Sequence, residues 1–172
     1  LMQRGVFNFV VKANFDTSAF PDVNFLKVDD VLGALQMVAS HHRAQFTYPV
    51  IGITGSNGKT IVKEWLNQLL SNRYHIIRSP RSYNSQIGVP LSVWEMDGKH
   101  QLAIFEAGIS QKGEMDALAN IIQPTIGILT SMGTAHQEGF ENQAAKIEEL
   151  FGQKPKVFRN TELIYSNHTY FF

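Results

Sequence analysis

Residues 50–60, VIGITGSNGKT, constrain the fold of this chain more than any other segment. An apolar run typical of a buried strand enters a turn with two glycines, and an amphipathic helical pattern follows. Because glycine adopts backbone conformations that other residues avoid, such a turn can direct its N–H groups at one anion. Lys59 and Thr60 come next, the pair that holds phosphate oxygens and Mg²⁺ in nucleoside triphosphate sites.

The turn departs from the common G-x-x-x-x-G-K-[ST] pattern, whose first glycine would fall at Ile53. The loop instead begins at Gly55. Strand, turn, Lys-Thr pair and helix still occur in the order that a phosphate-binding loop requires. Lys59 is predicted to contact the β and γ phosphates, and Thr60 to offer its hydroxyl to Mg²⁺. The predicted nucleotide-binding residues of the loop are Thr54, Gly55, Ser56, Asn57, Gly58, Lys59 and Thr60.

From residue 49 onward, short apolar runs alternate with helical patterns. This alternation predicts an α/β fold, a mostly parallel sheet with flanking helices. Ligands of such sheets bind beyond the carboxyl ends of the strands. The predicted strands are 50–54, 75–78, 102–106, 125–130 and 162–165. The predicted helices are 61–70, 87–95, 115–122 and 141–151.

The first 48 residues have a different pattern. Two strand-like runs, 6–11 and 24–28, precede a helix that Asp29 or Asp30 would cap. We therefore predict two units, residues 1–48 and residues 49–172. The chain opens directly in a strand-like run and does not begin with Met, so we expect it to be part of a longer protein.

Composition excludes several classes of function. The 172 residues include 15 basic and 15 acidic side chains, so no charge surplus favours nucleic acid or an anionic membrane. The absence of cysteine rules out disulfides, thiolate metal ligands and a cysteine nucleophile. No apolar run approaches the ~20 residues that span a bilayer.

Four segments resemble the Mur ligase family, in the family's order. Residues 54–60 are similar to its T-G-T-N-G-K-T loop, with Ser56 for the middle threonine. Residues 83–91, YNSQIGVPL, resemble N-N-x-I-G-V-P-L, and residues 105–115, FEAGISQKGEM, resemble E-x-G…G-E-[IM]. Residues 130–140, TSMGTAHQEGF, resemble T-N-I-G-x-A-H-L-E-x-F. Together the four motifs are highly specific.

The resemblance implies an enzyme that makes an amide bond with ATP and Mg²⁺ through an acyl phosphate. Within the family, the second and fourth motifs are most like the members that add D-alanyl-D-alanine to UDP-N-acetylmuramoyl-tripeptide, a cytoplasmic step of peptidoglycan precursor synthesis. Some of these are fused to an alanine racemase, which this chain leaves open. Residues 1–48 resemble the end of the UDP-substrate domain, and residues 49–172 resemble an incomplete ATP-binding domain. The chain alone is therefore expected to be inactive.

The resemblance also implies roles for four further residues. Glu106 would be a ligand of Mg²⁺ and His136 a ligand of a second metal, whereas Asn84 would lie near the phosphates. Lys146 is a candidate for the lysine that the family carbamylates to bind the second metal, although an ungapped comparison puts Leu150 at that position. Together with Lys59, the predicted catalytic residues are Glu106, His136 and Lys146.

Each of these residues also has a structural alternative. Glu106 and Asn84 could cap the helices that follow them, His136 could be structural, and Lys146 could be a solvated helix residue. Two other functions are also open: another Mur ligase or a folylpolyglutamate synthase-like ligase, and a nucleotide-binding module without catalysis. Glu106 and His136 favour catalysis, since a module that only binds nucleotide has no need of two metal ligands.

Overall fold

The computed structural model describes residues 1–108, 111 and 113–131. A 3-10 helix, Met2–Arg4, opens the chain. The strands are β1 (Asn8–Lys12), β2 (Asn24–Val28), β3 (Val50–Thr54), β4 (Ile76–Arg78), β5 (Leu102–Glu106) and β6 (Ile126–Leu129). The helices are α1 (Val31–Arg43), α2 (Lys59–Leu70), α3 (Gly88–Trp94) and α4 (Glu114–Ile122). The predicted elements before residue 132 are all present, with ends that differ by at most two residues. The predicted helix 141–151 and strand 162–165 lie outside the described residues.

The main sheet is parallel throughout, in the order β4-β5-β3-β6. In the parallel pairing of β3 with β5, Ile53 lies opposite Glu106. The loops that follow β3 and β5 therefore leave the same edge of the sheet, side by side. The predicted α/β class with a parallel sheet is confirmed.

Helices cover both faces of this sheet. Residues of β5 alternate between the faces, so Ala103 and Phe105 join one apolar cluster and Leu102 and Ile104 join the other. The first cluster contains buried residues of α1, α3 and α4, and α2 packs on the second. Within the described residues no helix is both long and apolar enough to cross a bilayer.

Helix α2 buries a narrower apolar face than its sequence pattern predicts. Residues three and four apart share a face of a helix, and their neighbours point about 100° away. The members that pack on the sheet are Val62, Leu66 and Leu70. The members that are exposed, by 56% to 73%, are Ile61, Trp65 and Leu69. The buried face includes instead a charged residue, Lys63, which has no exposed surface.

The pair β1–β2 forms a separate two-stranded parallel sheet. Pairing begins at Asn8 opposite Asn24, whose side-chain amide donates to the Asn8 Oδ1 at 2.9 Å. This explains why the strand starts two residues later than its apolar run. The rings of Phe15 and Phe20 pack against Phe25 in tilted orientations, at ring separations of 5.8 and 6.2 Å.

Helix α1 begins as predicted and then joins the main core. Its N-cap is Asp30, whose Oδ1 accepts the Leu32 N–H at 3.0 Å. At its other end, the buried Arg43 donates to the carbonyls of Ile122, Gln123 and Phe46 at 2.7–2.9 Å. Burial lowers the pKa of this guanidinium. Arg43 thus connects α1 to the end of α4. Helix α1 lies before residue 48, and the boundary between two units at that residue stays a prediction.

Replacing Arg43 by methionine is expected to lower the free energy of unfolding by about 3 kcal/mol, because buried carbonyls lose charge-assisted donors. The exposed Arg73 offers a matched control, and Arg73→Met should change stability by less than about 0.5 kcal/mol. Urea denaturation followed by circular dichroism measures both. Equal stability of the two variants would contradict a clamping role for Arg43.

Candidate active site

The glycine turn after β3 has the backbone that its sequence predicts. Gly55 and Gly58 have φ values of 133° and 82°, a region that residues with a Cβ rarely adopt. Gly58 is the N-cap of α2, so the helix starts at Lys59 with its N–H groups facing the turn. A helix N-terminus that follows such a turn favours a bound anion.

Two residues after β6 hold the turn from the side. The Ser56 N–H donates to the Ser131 carbonyl at 2.9 Å, and the Asn57 N–H donates to Ser131 Oγ at 3.1 Å. The Thr130 hydroxyl donates to the carbonyls of Thr54 and Asn57. Neither residue carries a signal in the sequence, because their contacts depend on the pairing of β6 with β3.

The Lys-Thr pair reaches both sides of the turn. The Lys59 ammonium donates to the Gly55 carbonyl, so it lies over the loop. The Thr60 hydroxyl donates to Glu106 Oε2 at 3.0 Å. Glu106 is the last residue of β5 and has no exposed surface. The predicted grouping of Lys59, Thr60 and Glu106 at the carboxyl edge of the sheet is therefore present.

The spacing of these two oxygens fits a magnesium ion. Adjacent ligands of an octahedral Mg²⁺, each 2.0–2.1 Å from the metal, lie about 2.9 Å apart. Thr60 Oγ1 and Glu106 Oε2 are 3.0 Å apart, and both are hard oxygen donors. The described residues contain no group of three or more His, Cys, Asp or Glu side chains that could hold a metal by themselves. Mg²⁺ usually keeps waters and phosphate oxygens among its ligands, so two protein oxygens can be enough to hold it.

The other oxygen of Glu106 faces Lys63, a residue without a role in the sequence analysis. Lys63 Nζ lies 2.9 Å from Glu106 Oε1, and both side chains are fully buried. Apart from this ion pair, Oε1 receives no hydrogen bond from the described residues. Lys63 also donates to the carbonyls of Ser79, at 2.9 Å, and Arg81. The sequence carries no decisive signal for Lys63, because helical periodicity does not tell which of two adjacent faces of α2 meets the sheet.

Asn84 lies next to the end of β5. Its carbonyl accepts the Gly108 N–H at 2.8 Å, two residues after Glu106. A Cβ on Gly108 would lie 3.0 Å from Asn84 Oδ1, so glycine permits this approach. The helix-capping contact is made by the next residue, Ser85, whose Oγ accepts the Gly88 N–H at 3.1 Å at the start of α3. Contact of Asn84 with phosphate stays a prediction.

The remaining predicted site residues, His136 and Lys146, lie outside the described residues. Their roles as ligands of a second metal stay predictions, as do the strand and helix predicted beyond residue 131. The described part of the site thus comprises the glycine turn, the Lys-Thr pair, Glu106 with Lys63, and the Asn84 loop.

Comparison with known proteins agrees with this geometry. Residues 53–164 match the family described as Mur ligase middle domain. The chain belongs to the Mur ligase family. Similar curated proteins are named UDP-N-acetylmuramoyl-tripeptide–D-alanyl-D-alanine ligase. The one from Borreliella burgdorferi is 39% identical over 81% of this chain and 31% of its own length, and that from Treponema pallidum is 42% identical over 72% and 27%. The chain spans about a third of the length of such relatives.

Solved structures show the same fold for this Mur ligase segment. A MurF crystal structure from Acinetobacter baumannii has a TM-score of 0.74 and 30% identity, covering 82% of this chain and 31% of that one. The MurF ligase of Thermotoga maritima, in complex with ADP, has a TM-score of 0.75 and 26% identity, covering 87% of this chain and 35% of that one. The predicted family resemblance is confirmed.

Proposed function

We propose that this chain is the nucleotide-binding part of an ATP-dependent ligase that joins D-alanyl-D-alanine to UDP-N-acetylmuramoyl-tripeptide. The observation that carries the nucleotide and metal part is the 3.0 Å approach of Thr60 Oγ1 and Glu106 Oε2 beside a glycine turn. The names of the relatives support the choice of substrates, since they are 39% and 42% identical. Such a reaction would take place in the cytoplasm, where nucleotide-linked wall precursors are made.

The proposed reaction has two steps. A carboxylate of the tripeptide attacks the γ phosphorus of ATP, and ADP leaves. The amine of D-alanyl-D-alanine then attacks the acyl carbon, gives up a proton and displaces phosphate. Catalysis of phosphoryl transfer depends mainly on position and on stabilisation of charge.

The chain's own residues supply the parts for the first step. The N–H groups at the start of helix α2 would bind phosphate oxygens, and Lys59 would move from the Gly55 carbonyl to the β and γ phosphates. Thr60 and Glu106 would hold Mg²⁺ on the opposite side. When bound, Mg²⁺ neutralises charge that develops on the phosphoryl oxygens.

Calorimetric titration with ADP and Mg²⁺ tests the binding part of this proposal. We expect the chain to bind and Lys59→Ala to bind more than about tenfold more weakly, since a charge-assisted hydrogen bond is lost. Lys99→Ala is the control, because Lys99 lies in an exposed turn after α3 and should not affect affinity. Equal affinity of the Lys59→Ala variant and the unmodified chain would contradict the proposal.

Ligation itself is tested on the complete gene product. Amide formation from UDP-N-acetylmuramoyl-tripeptide and D-alanyl-D-alanine, with release of ADP and phosphate, is the expected result. A gene product that binds ADP but releases no phosphate with these substrates would favour another amide ligase or a binding module. Failure to bind ADP at all would reject the ligase proposal.

A further inference from the structure

Lys63 is the one fully buried cation among the described residues, and the proposed mechanism does not use it. Its ammonium has three protons to donate. Two are directed at the carbonyls of Ser79 and Arg81, and the Glu106 carboxylate lies 2.9 Å away. Water does not reach this position. The charge of Lys63 is therefore balanced by Glu106 in particular.

The two oxygens of Glu106 have different partners. Oε1 faces Lys63, and Oε2 accepts the Thr60 hydroxyl. A carboxylate held at one oxygen can rotate little, so the other oxygen keeps a fixed direction. Oε2 is the oxygen at the spacing from Thr60 that Mg²⁺ requires. The Glu106 backbone is fixed as well, since its N–H donates to Ser79 Oγ at 3.1 Å.

We propose that Lys63 is a positioning residue: it holds Glu106 Oε1, so that Oε2 alone is presented to the metal beside Thr60. The inference rests on the proposed function, because it concerns the metal of the same site. Lys63 does not contact the nucleotide. It acts on the metal through the glutamate.

A second set of contacts connects Lys63 to the Asn84 loop. Arg81 has a φ of 51°, in the left-handed region that a non-glycine residue rarely adopts. The Lys63 ammonium donates a hydrogen bond to the Arg81 carbonyl. One buried lysine thus links helix α2, the end of β5 and the turn that leads to Asn84.

The charge of Lys63 and its hold on Glu106 have opposite effects on metal binding. An ammonium near the site repels Mg²⁺, so its removal would strengthen metal binding if charge decided the outcome. If the orientation of Glu106 decides it, removal weakens metal binding. The sign of the change therefore separates the two explanations.

The experiment measures the affinity of the chain for ADP in EDTA and in saturating Mg²⁺. The ratio of the two affinities reports the coupling between metal and nucleotide. Lys63→Met keeps the length of the apolar stem and removes the charge. We expect its affinity in EDTA to change by less than about twofold and its Mg²⁺ enhancement to fall at least about fivefold.

Two comparison variants locate the effect. Glu64→Gln removes the other carboxylate near Lys63, at 3.3 Å and 44% exposed, and should keep the full Mg²⁺ enhancement. Despite partial desolvation, Lys63 and Arg78 hold the pKa of Glu64 below its usual value, so the substitution removes a charge. The double variant Lys63→Met/Glu106→Gln should lose no more enhancement than Glu106→Gln alone, because Lys63 acts through Glu106.

Two results would overturn the inference while leaving the proposed function intact. One is an unchanged Mg²⁺ enhancement in Lys63→Met, whether or not both affinities fall equally, and the other is an increased enhancement. If Lys63→Met does not fold by circular dichroism, Lys63→Gln, whose amide can still donate to a carbonyl, is judged by the same criteria. An unmodified chain whose ADP affinity does not respond to Mg²⁺ would overturn the inference and the metal part of the proposed function together.

Discussion

Gly55→Ala is expected to abolish nucleotide binding and to lower the free energy of unfolding by about 3 kcal/mol, from a left-handed conformation and an overpacked contact together. The φ of 133° is strained for any residue with a Cβ. The added methyl group would also lie 2.9 Å from both the backbone nitrogen and the carbonyl oxygen of Ser131. These are backbone atoms, so the loop itself must shift. Calorimetric titration with ADP and Mg²⁺ and urea denaturation measure the two effects.

Substitutions at two other glycines separate the cost of the positive φ from the cost of the overpacked contact. Gly113 has a φ of 86° and no described residue within 4 Å of its Cβ position, so Gly113→Ala should cost only the conformational part, about 1–2 kcal/mol. Gly127 likewise has no neighbour within 4 Å among the described residues and no positive φ, and Gly127→Ala should be close to neutral for stability. ADP binding by Gly55→Ala with the affinity of Gly127→Ala would show that the turn does not hold the phosphates.

The sequence predicts the sheet and the turn well because their determinants are local. The strands β3 and β5 are mostly apolar runs of five residues, and the predicted bounds of both agree with those observed. The turn is specified by its own glycines and by the strand and helix on either side. The meeting of Thr60 with Glu106 was also predictable, since parallel strands end at a common edge and the family motifs mark both residues.

What the sequence did not reveal depends on contacts between distant segments. The support that Thr130 and Ser131 give to the turn exists only because β6 pairs with β3. Lys63 is not predicted to be buried, because the apolar positions of α2 form a single face in the sequence pattern. The sheet covers only part of that face, so Trp65 is exposed while Lys63 is buried. Helical periodicity predicts which residues share a face, but not which of two adjacent faces meets the sheet.

Glu106→Leu is expected to lower the free energy of unfolding by about 3–5 kcal/mol, because it removes the fully buried carboxylate beside the Lys63 ammonium and leaves it the partly exposed Glu64 at 3.3 Å. For a domain of this size the melting temperature should fall by roughly 10 °C. Thermal denaturation followed by circular dichroism measures this change. Glu64, whose side chain is 44% exposed, is the control, and Glu64→Leu should shift the free energy by less than about 0.5 kcal/mol, although it lies in the same ion network.

The double variant Lys63→Met/Glu106→Leu shows whether the ion pair exists to stabilise the fold. Replacing both members of a buried ion pair by apolar residues often costs little stability, because neither charge then has to be desolvated. We therefore expect the double variant to recover more than half of the stability that Glu106→Leu loses, while its Mg²⁺ enhancement of ADP binding stays absent. Losses that simply add would mean that the two side chains do not interact. Recovery of stability without recovery of metal binding would mean that the buried pair serves the metal site, since a fold that needed only stability could use apolar residues there.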